Sequence, residues 1–193
     1  NGCSWTQCSV DDVSFSAALV QEVSANVCVD SDRVYAVGGS NGGMLVWDLG
    51  RDALSAEVFK AVAPILGLPH RGYLDPPISE GGMPVISITG SRDRTVPPGE
   101  WEQESFTTTS DGDVYYYSSA SAITKVWAAS QGCDTTVPAE SIDVGSSSME
   151  CRGWSYCQSD SQWPPVLDCR GDMGHIYKLS SSWPLILDFF EQL

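Results

Sequence analysis

The segment of residues 33–49 constrains the fold more than any other part of this sequence. Residues 33–37 (RVYAV) are a short β-branched and aromatic run that predicts a buried strand, and Gly38 and Gly39 end it. Residues 41–49 carry apolar side chains and no proline, which predicts a helix that begins at once. The segment therefore predicts a strand, a sharp glycine turn and a helix in direct succession.

Strands and helices alternate along the rest of the chain. Further buried strands are predicted at residues 59–66, 84–89 and 165–169, and further helices at residues 11–27, 115–130 and 185–193. Residues 99–112 and 135–153 are rich in Ser, Thr, Gly and acidic residues and lack periodicity, which predicts surface loops. This alternation predicts an α/β fold, with a mostly parallel sheet flanked by helices, in a single domain over residues 1–193.

The first and last helices carry terminal signals. In residues 11–27, Asp11 and Asp12 lie where a helix N-terminus favours negative charge. Apolar residues then recur at every fourth position and predict an amphipathic helix: Phe15, Leu19, Val23 and Val27. Residues 182–184 (SWP) are expected to open the last helix, because an early proline lacks only a donor that would have no partner there.

The charge of the chain disfavours several kinds of partner. Ten Lys and Arg against 25 Asp and Glu give a net charge of −15, which repels phosphate backbones and anionic lipid, so we expect no nucleic-acid partner.

No stretch approaches the roughly 18 apolar residues of a membrane span. The start at Asn1 has neither a basic nor an apolar leader region, so any secretion signal is expected to have been removed.

Cysteine usage predicts a secreted, disulfide-bonded protein. The chain has seven cysteines, none in a C-x-x-C pair, and only two histidines, which favours disulfides over a metal site. Two bridges are expected among the last four, with three connectivities open: Cys133, Cys151, Cys157 and Cys169. The odd cysteine is expected to be a free thiol, to form an intermolecular bond, or to have lost its partner from a longer chain.

The glycine turn carries a motif with chemical meaning. Residues 38–42 (GGSNG) match G-x-S-x-G, in which small residues let the chain turn sharply from strand to helix and present the serine hydroxyl above the sheet edge. The motif alone has little specificity, but here a predicted strand stops just before it and a predicted helix starts just after it. Ser40 is therefore the candidate nucleophile.

A serine hydroxyl needs a base, and the base needs a group that orients it. His175 follows the predicted strand at residues 165–169 and is the candidate base, whereas His70 in a proline-rich loop is expected to be a surface residue. Asp93 directly follows the predicted strand at residues 84–89 and gives the chain order Ser, Asp, His that is typical of α/β-hydrolases. The alternative acids are Asp75, Asp168 and Asp172.

Several segments, in order along the chain, together form a recognisable pattern. They are residues 11–15 (DDVSF), 28–44 (CVDSDRVYAVGGSNGGM), 59–67 (FKAVAPILG), 90–98 (GSRDRTVPP), 127–133 (WAASQGC) and 149–151 (MEC), with Gly174-His175 before residues 183–190 (WPLILDFF). With these segments the chain resembles the secreted polyhydroxybutyrate depolymerase and feruloyl esterase group of α/β-hydrolases. The resemblance implies an α/β-hydrolase fold and a secreted serine esterase whose triad is Ser40, Asp93 and His175. It implies ester substrates such as feruloyl or acetyl groups on plant polysaccharides, or hydroxyalkanoate polyesters, and no cofactor or metal.

The sequence departs from this group at two places. Members carry upstream strands and a His-Gly-type loop whose amide completes the oxyanion hole with the amide after the nucleophile, here that of Asn41. The fold is therefore expected to be N-terminally shortened. The chain is then a piece whose N-terminal part is supplied separately, a short enzyme with another donor, or a non-catalytic relative. Members also place Trp-Pro soon after the histidine, where this chain has residues 176–178 (IYK).

Other functions remain open at this point. A hydrolase-like binding or structural protein would use aromatic residues as a surface for sugars or partners: Trp101, Trp154, Trp163 and Tyr115 to Tyr117. A transferase or peptidase could use the same three residues, since the pocket selects the acyl acceptor and the scissile bond.

Overall fold

The described part of the chain forms helices and strands in alternation. The structure is a computed structural model, and it describes residues 11–71, 82–99, 105–108, 110–145, 147–157 and 161–193. The helices in these ranges are α1 (Asp12–Asn26), α2 (Asn41–Arg51), α3 (Ala53–Val58), α4 (Ala120–Ser130) and α5 (Leu179–Glu191). The strands are β1 (Tyr35–Gly39), β2 (Ala61–Ile65), β3 (Val85–Gly90), β4 (Ser105–Thr108), β5 (Val114–Tyr117), β6 (Glu140–Ile142), β7 (Glu150–Gly153) and β8 (Val166–Gly171).

Six of these strands form one mixed sheet in the order β1-β2-β3-β8-β7-β6. Strands β1, β2, β3 and β8 are parallel, and β7 and β6 continue the sheet in antiparallel pairing. Strands β4 and β5 form a separate antiparallel hairpin. The described residues therefore have the helices and the mixed sheet of an α/β chain, with a parallel part of four strands and an antiparallel part of two.

Helices cover both faces of the sheet. Side chains alternate along its buried strands, so both faces carry apolar residues that need a covering layer. In β2, Val62 belongs to a core cluster that includes Trp47 of α2 and Trp127 of α4. Ile65 belongs to the cluster on the other face, which includes Phe189 of α5. Trp47 and Trp127 are fully buried with ring centroids 4.9 Å apart in an edge-to-face arrangement. Truncating either indole to alanine would cost about 3–5 kcal/mol.

The α1 helix is where predicted, but its predicted face is wrong. The four apolar residues at every fourth position are exposed: Phe15 (62%), Leu19 (51%), Val23 (44%) and Val27 (56%). The helix instead packs through Val13, Ala17 and Val20, and Ala17 is its buried residue. The side that approaches α2 and α3 thus carries small and β-branched residues, so the longest apolar stripe in the helix is not its packing face.

Two predicted element types need correction. The predicted helix at residues 115–130 begins only at Ala120, because residues 114–117 (VYYY) pair with β4 and Ser119 caps the helix through the Ala122 amide. The predicted loops at residues 99–112 and 135–153 contain β4 and the strands β6 and β7, respectively. Each of these short strands is stabilised by pairing with a neighbouring strand. The residue pattern within one segment cannot predict such pairing.

The last helix begins earlier than predicted. It starts at Leu179 rather than at the proline, so Pro184 lies inside α5. A proline there leaves the carbonyl of Ser180 without its helical donor. Both Pro184 and Ser180 are exposed, so water can hydrate that carbonyl. Ser182 helps hold the preceding turn, because its hydroxyl donates to the Lys178 carbonyl at 3.1 Å.

Two disulfides join the C-terminal half, as predicted. Cys133 is bonded to Cys157, and Cys151 is bonded to Cys169. Cys151 and Cys169 lie directly opposite each other in β7 and β8, so this bridge ties the antiparallel part of the sheet to the parallel part.

The remaining cysteines divide between the described and undescribed ranges. Cys28 is an exposed free thiol, whereas Cys3 and Cys8 lie outside the described residues.

None of the helices in the described ranges combines the length and the apolar composition that a membrane crossing requires.

Candidate active site

Ser40 lies on the sharp turn between β1 and α2. Its backbone has φ 53° and ψ −118°, a region that residues with a side chain rarely adopt. Two hydrogen bonds hold the turn: the Ser40 amide donates to the Ile65 carbonyl at 2.8 Å, and the Met44 amide donates to the Ser40 carbonyl at 3.1 Å. The strained residue is thus fixed between β2 and the first turn of α2.

The glycines around this turn differ in what they contribute. A Cβ on Gly38 would lie 2.2 Å from the Gly42 carbonyl oxygen, and a Cβ on Gly67 would lie 2.2 Å from the Ser40 carbonyl oxygen. Both approaches are to backbone, which cannot swing away as a side chain can. A Cβ on Gly42 would meet no atom within 4 Å. The first glycine of the motif is therefore required by packing, whereas the last is not.

Asp93 lies in the loop that follows β3 and is 4% exposed. Its Oδ1 accepts hydrogen bonds from the amides of Thr95 at 2.8 Å and Val96 at 3.0 Å. Its Oδ2 lies 2.7 Å from Nδ1 of His175. One carboxylate oxygen is thus held by its own loop while the other contacts the imidazole.

His175 connects this carboxylate to the serine. Its Nε2 lies 2.9 Å from Oγ of Ser40, and its side chain is 22% exposed while that of Asp93 is fully buried. An ionised carboxylate only accepts, so Nδ1 carries the proton that it donates to Asp93. Nε2 then presents a lone pair to the hydroxyl of Ser40.

The loops after β3 and β8 are joined by backbone hydrogen bonds. The Ser91 amide donates to the Gly171 carbonyl at 2.9 Å, and the Arg92 amide donates to the Met173 carbonyl at 3.0 Å. A Cβ on Gly90 would lie 2.5 Å from the Met173 carbonyl oxygen, so the chains pass in close contact. This pairing carries the acid and the base to the same edge of the sheet.

The alternative acids have other partners or positions. Asp168 forms an ion pair with Arg170 at 3.0 Å, within β8. Asp172 is exposed and pairs with Arg92 at 2.6 Å. Asp75 lies outside the described residues. The structure therefore brings Asp93 to the histidine and places Asp168 and Asp172 in separate ion pairs.

His70 is not the isolated surface residue that the sequence predicted. It is half-buried, and its ring stacks on Tyr117 with centroids 5.0 Å apart. Burial lowers the pKa of His70 below its ordinary value. Burial also raises the pKa of Tyr117, and the negative charge of Asp93 raises it further. The β4–β5 hairpin thus lies beside the acid loop, a position that the sequence does not predict because residues 115–117 are predicted as part of a helix.

The aromatic surface proposed for a binding protein is only partly exposed. Trp154 and Trp163 are buried, at 2% and 9%, and Trp101 lies outside the described residues. Tyr115 and Tyr116 are exposed, at 40% and 44%. The two described tryptophans of that set therefore pack in the interior rather than forming a surface.

Tyr177 is a residue of the site that the sequence pattern does not predict. A Cβ on Gly39 would lie 2.4 Å from Cε1 of Tyr177, so the phenol ring rests on the backbone directly before Ser40. The ring centroid lies 6.4 Å from that of His175, and the residue is 46% exposed. In the sequence, the only sign of this residue is that residues 176–178 (IYK) differ from the family pattern after the histidine. The Tyr177 ring forms a wall of the site.

Asn41 is the first residue of α2. Amides in the first turn of a helix have no partner within the helix and favour negative charge. The Asn41 amide therefore suits an oxyanion that forms at a group attached to Ser40. Among the described residues, no cluster of three or more His, Cys, Asp or Glu side chains could hold a metal ion.

One curated protein resembles the chain over part of its length. The chain is 38% identical over 90 residues to the protein named "Putative esterase NocK" from Nocardia uniformis subsp. tsuyamanensis. The match covers 45% of this chain and 24% of that protein, so the matched segment spans about a quarter of the relative's length. No protein-family model matches the chain. No solved structure matches it either.

Proposed function

We propose that the chain is a serine esterase that hydrolyses carboxylic esters through an acyl-enzyme. The observation that carries this proposal is the hydrogen-bonded series from Ser40 Oγ through His175 to Asp93, with contacts of 2.9 Å and 2.7 Å. A hydroxyl, a correctly oriented imidazole and a buried carboxylate are the parts that nucleophilic acyl transfer needs.

Each group has a defined step in the reaction. The Ser40 oxygen attacks the ester carbonyl carbon while His175 Nε2 takes the hydroxyl proton, and the Asn41 amide donates to the oxyanion. The tetrahedral intermediate collapses, the bond to the leaving alkoxide breaks, and His175 returns the proton to that alkoxide. Water then repeats the sequence on the acyl-serine, which releases the acid and restores Ser40. Asp93 remains ionised and stabilises the imidazolium.

Three features support an α/β-hydrolase fold for this site. The nucleophile, acid and base follow parallel strands β1, β3 and β8 in the chain order that is typical of that fold. The serine has a strained backbone on a strand-to-helix turn. The relative from Nocardia carries an esterase name. The chain is proposed to act as one domain over residues 1–193.

The proposed substrates are feruloyl or acetyl esters of plant polysaccharides, or hydroxyalkanoate polyesters. The half-exposed ring of Tyr177 beside Ser40 supports an ester with an apolar or planar group at this wall. An extracellular location is proposed, and the two disulfides are compatible with it.

A fluorophosphonate probe and an ester assay test the proposal together. The probe should form an adduct that peptide mapping assigns to Ser40, and Ser40→Ala should abolish both the adduct and p-nitrophenyl acetate hydrolysis. Ser24→Ala is the matched control, since Ser24 is an exposed serine of α1 that bonds only to its own helix. Circular dichroism verifies that all samples are folded. A folded protein that neither reacts with the probe nor hydrolyses the ester contradicts the proposal and favours a binding role.

A further inference from the structure

A second site candidate lies on the β7–β8 part of the sheet, under α4. It is a cavity of about 770 Å³. Its floor is one face of the sheet, on which two cross-strand pairs each join an acidic to a basic residue. Glu150 lies opposite Arg170 in the strand register, and Arg152 lies opposite Asp168. The alternate residues of the same strands, including the Cys151–Cys169 bridge, face the other side of the sheet.

Half of this charged floor is already paired. Arg170 Nη2 lies 3.0 Å from Asp168 Oδ2, Nε lies 3.4 Å from Oδ1, and Nη1 donates to the Gly99 carbonyl at 3.2 Å. Within the described ranges, the side chains of Glu150 and Arg152 make neither a hydrogen bond nor an ion pair. The floor therefore offers one carboxylate and one guanidinium, two residues apart, with their hydrogen-bonding capacity unused.

The α4 side of the cavity adds hydroxyl groups. Ser121 and Thr124 both line it. The Ser121 Oγ is a buried atom with no hydrogen-bond partner in the described part of the chain. Thr124 donates to the Ala120 carbonyl at 2.7 Å and is fully buried. Of these two residues only Ser121 is partly exposed, so it is the α4 residue that a polar ligand in this cavity can contact.

We propose that this cavity binds a neutral oligosaccharide. Planar carboxylate and guanidinium groups each bridge two neighbouring sugar hydroxyls, and the alternating charges of the floor cancel, which favours neither an anion nor a cation. The net charge of −15 further disfavours anionic ligands. The volume falls within the range of small-molecule sites, which is about 300–1,000 Å³. The proposal does not depend on the esterase assignment.

Ligand-observed NMR with cellobiose and maltose tests this proposal on the full chain. Saturable binding with a Kd on the order of 1 mM is expected for at least one of the two disaccharides. Arg152→Ala and Glu150→Ala should each weaken it about tenfold, since each removes a pair of hydrogen bonds. Both residues are exposed, so the fold should tolerate both changes.

Two controls separate this site from the catalytic one and from general charge effects. Arg33→Ala removes an exposed arginine that lies before β1 and should leave binding unchanged. Ser40→Ala should also retain binding, even where it abolishes ester hydrolysis. If the folded protein shows no saturable binding of cellobiose and none of maltose, each at about 10 mM, the proposal is overturned. Binding that survives both floor substitutions, or binding of inorganic sulfate alone, also overturns it.

Discussion

The two ends of the glycine motif should respond oppositely to the same substitution. Gly38→Ala adds a methyl group 2.2 Å from the Gly42 carbonyl oxygen and 2.8 Å from a Val46 methyl group. Gly42→Ala adds one with no atom within 4 Å, in the first turn of α2. Both changes add one carbon to the same turn, so the pair isolates the steric contact.

The expected difference follows from these distances. Relief of the Gly38→Ala contact requires β1 and α2 to move apart by about 1 Å, and overpacking of this kind costs about 3 kcal/mol. Gly42→Ala should instead stabilise by up to about 0.8 kcal/mol, because alanine is the better helix former. A gap of nearly 4 kcal/mol corresponds to Tm values about 8–16 °C apart in a chain of this size.

Thermal melts followed by circular dichroism measure this gap, and fluorophosphonate labelling reports whether Ser40 keeps its position. We expect Gly42→Ala to label at the unsubstituted rate and Gly38→Ala to label slowly even well below its Tm. Equal Tm values for the two variants, within about 2 °C, would refute the claim that this strand–helix contact requires glycine.

Four further outcomes follow from the site and the fold. Asp93→Asn should lower kcat for p-nitrophenyl acetate by up to about 10⁴-fold because the imidazole loses its orienting charge, whereas Asp172→Asn should leave it nearly unchanged. Tyr177→Ala should raise KM for aryl esters about fivefold with little change in kcat, as measured by steady-state kinetics. Replacing both Cys151 and Cys169 by serine should lower the free energy of unfolding by about 3 kcal/mol in urea titrations, given the 18-residue separation. Burial lowers the pKa of His70 in the folded protein. As the pH falls below about 6.5, the unfolded chain therefore protonates this histidine before the folded protein does, and the free energy of unfolding should decrease. His70→Phe should flatten this part of a plot of Tm against pH.

The parallel strands β2, β3 and β8 could be predicted from the sequence because they are buried on both faces. The strands β2 and β3 appear in the sequence as short continuous apolar runs ended by glycine, and both were placed to within two residues. The packing face of α1 could not be predicted, since Ala17 rather than Phe15 approaches its neighbours. Apolar spacing shows where a helix has a stripe, but not which side meets the rest of the protein.

The candidate site divides in the same way. Ser40, Asp93 and His175 were selected by their positions after predicted strands, and their catalytic roles stay predictions until activity is measured. Tyr177 was not selected, because its contact with Gly39 joins parts of the chain that are far apart in sequence. The cavity beside β7 was also not predicted, since its floor exists only once β7 and β8 pair in register.

The hydrogen bonds of Asp93 have a consequence for the order of events during synthesis. Its own loop fixes Oδ1 through the Thr95 and Val96 amides, so the acid can be oriented locally. The histidine comes from 82 positions further along the chain and reaches Asp93 only after β8 has docked beside β3. Such long-range pairings form late in folding. A nascent chain therefore carries the serine turn and the prepared acid without a base while these 82 positions are synthesised, and any hydrolytic activity begins only once β8 pairs with β3.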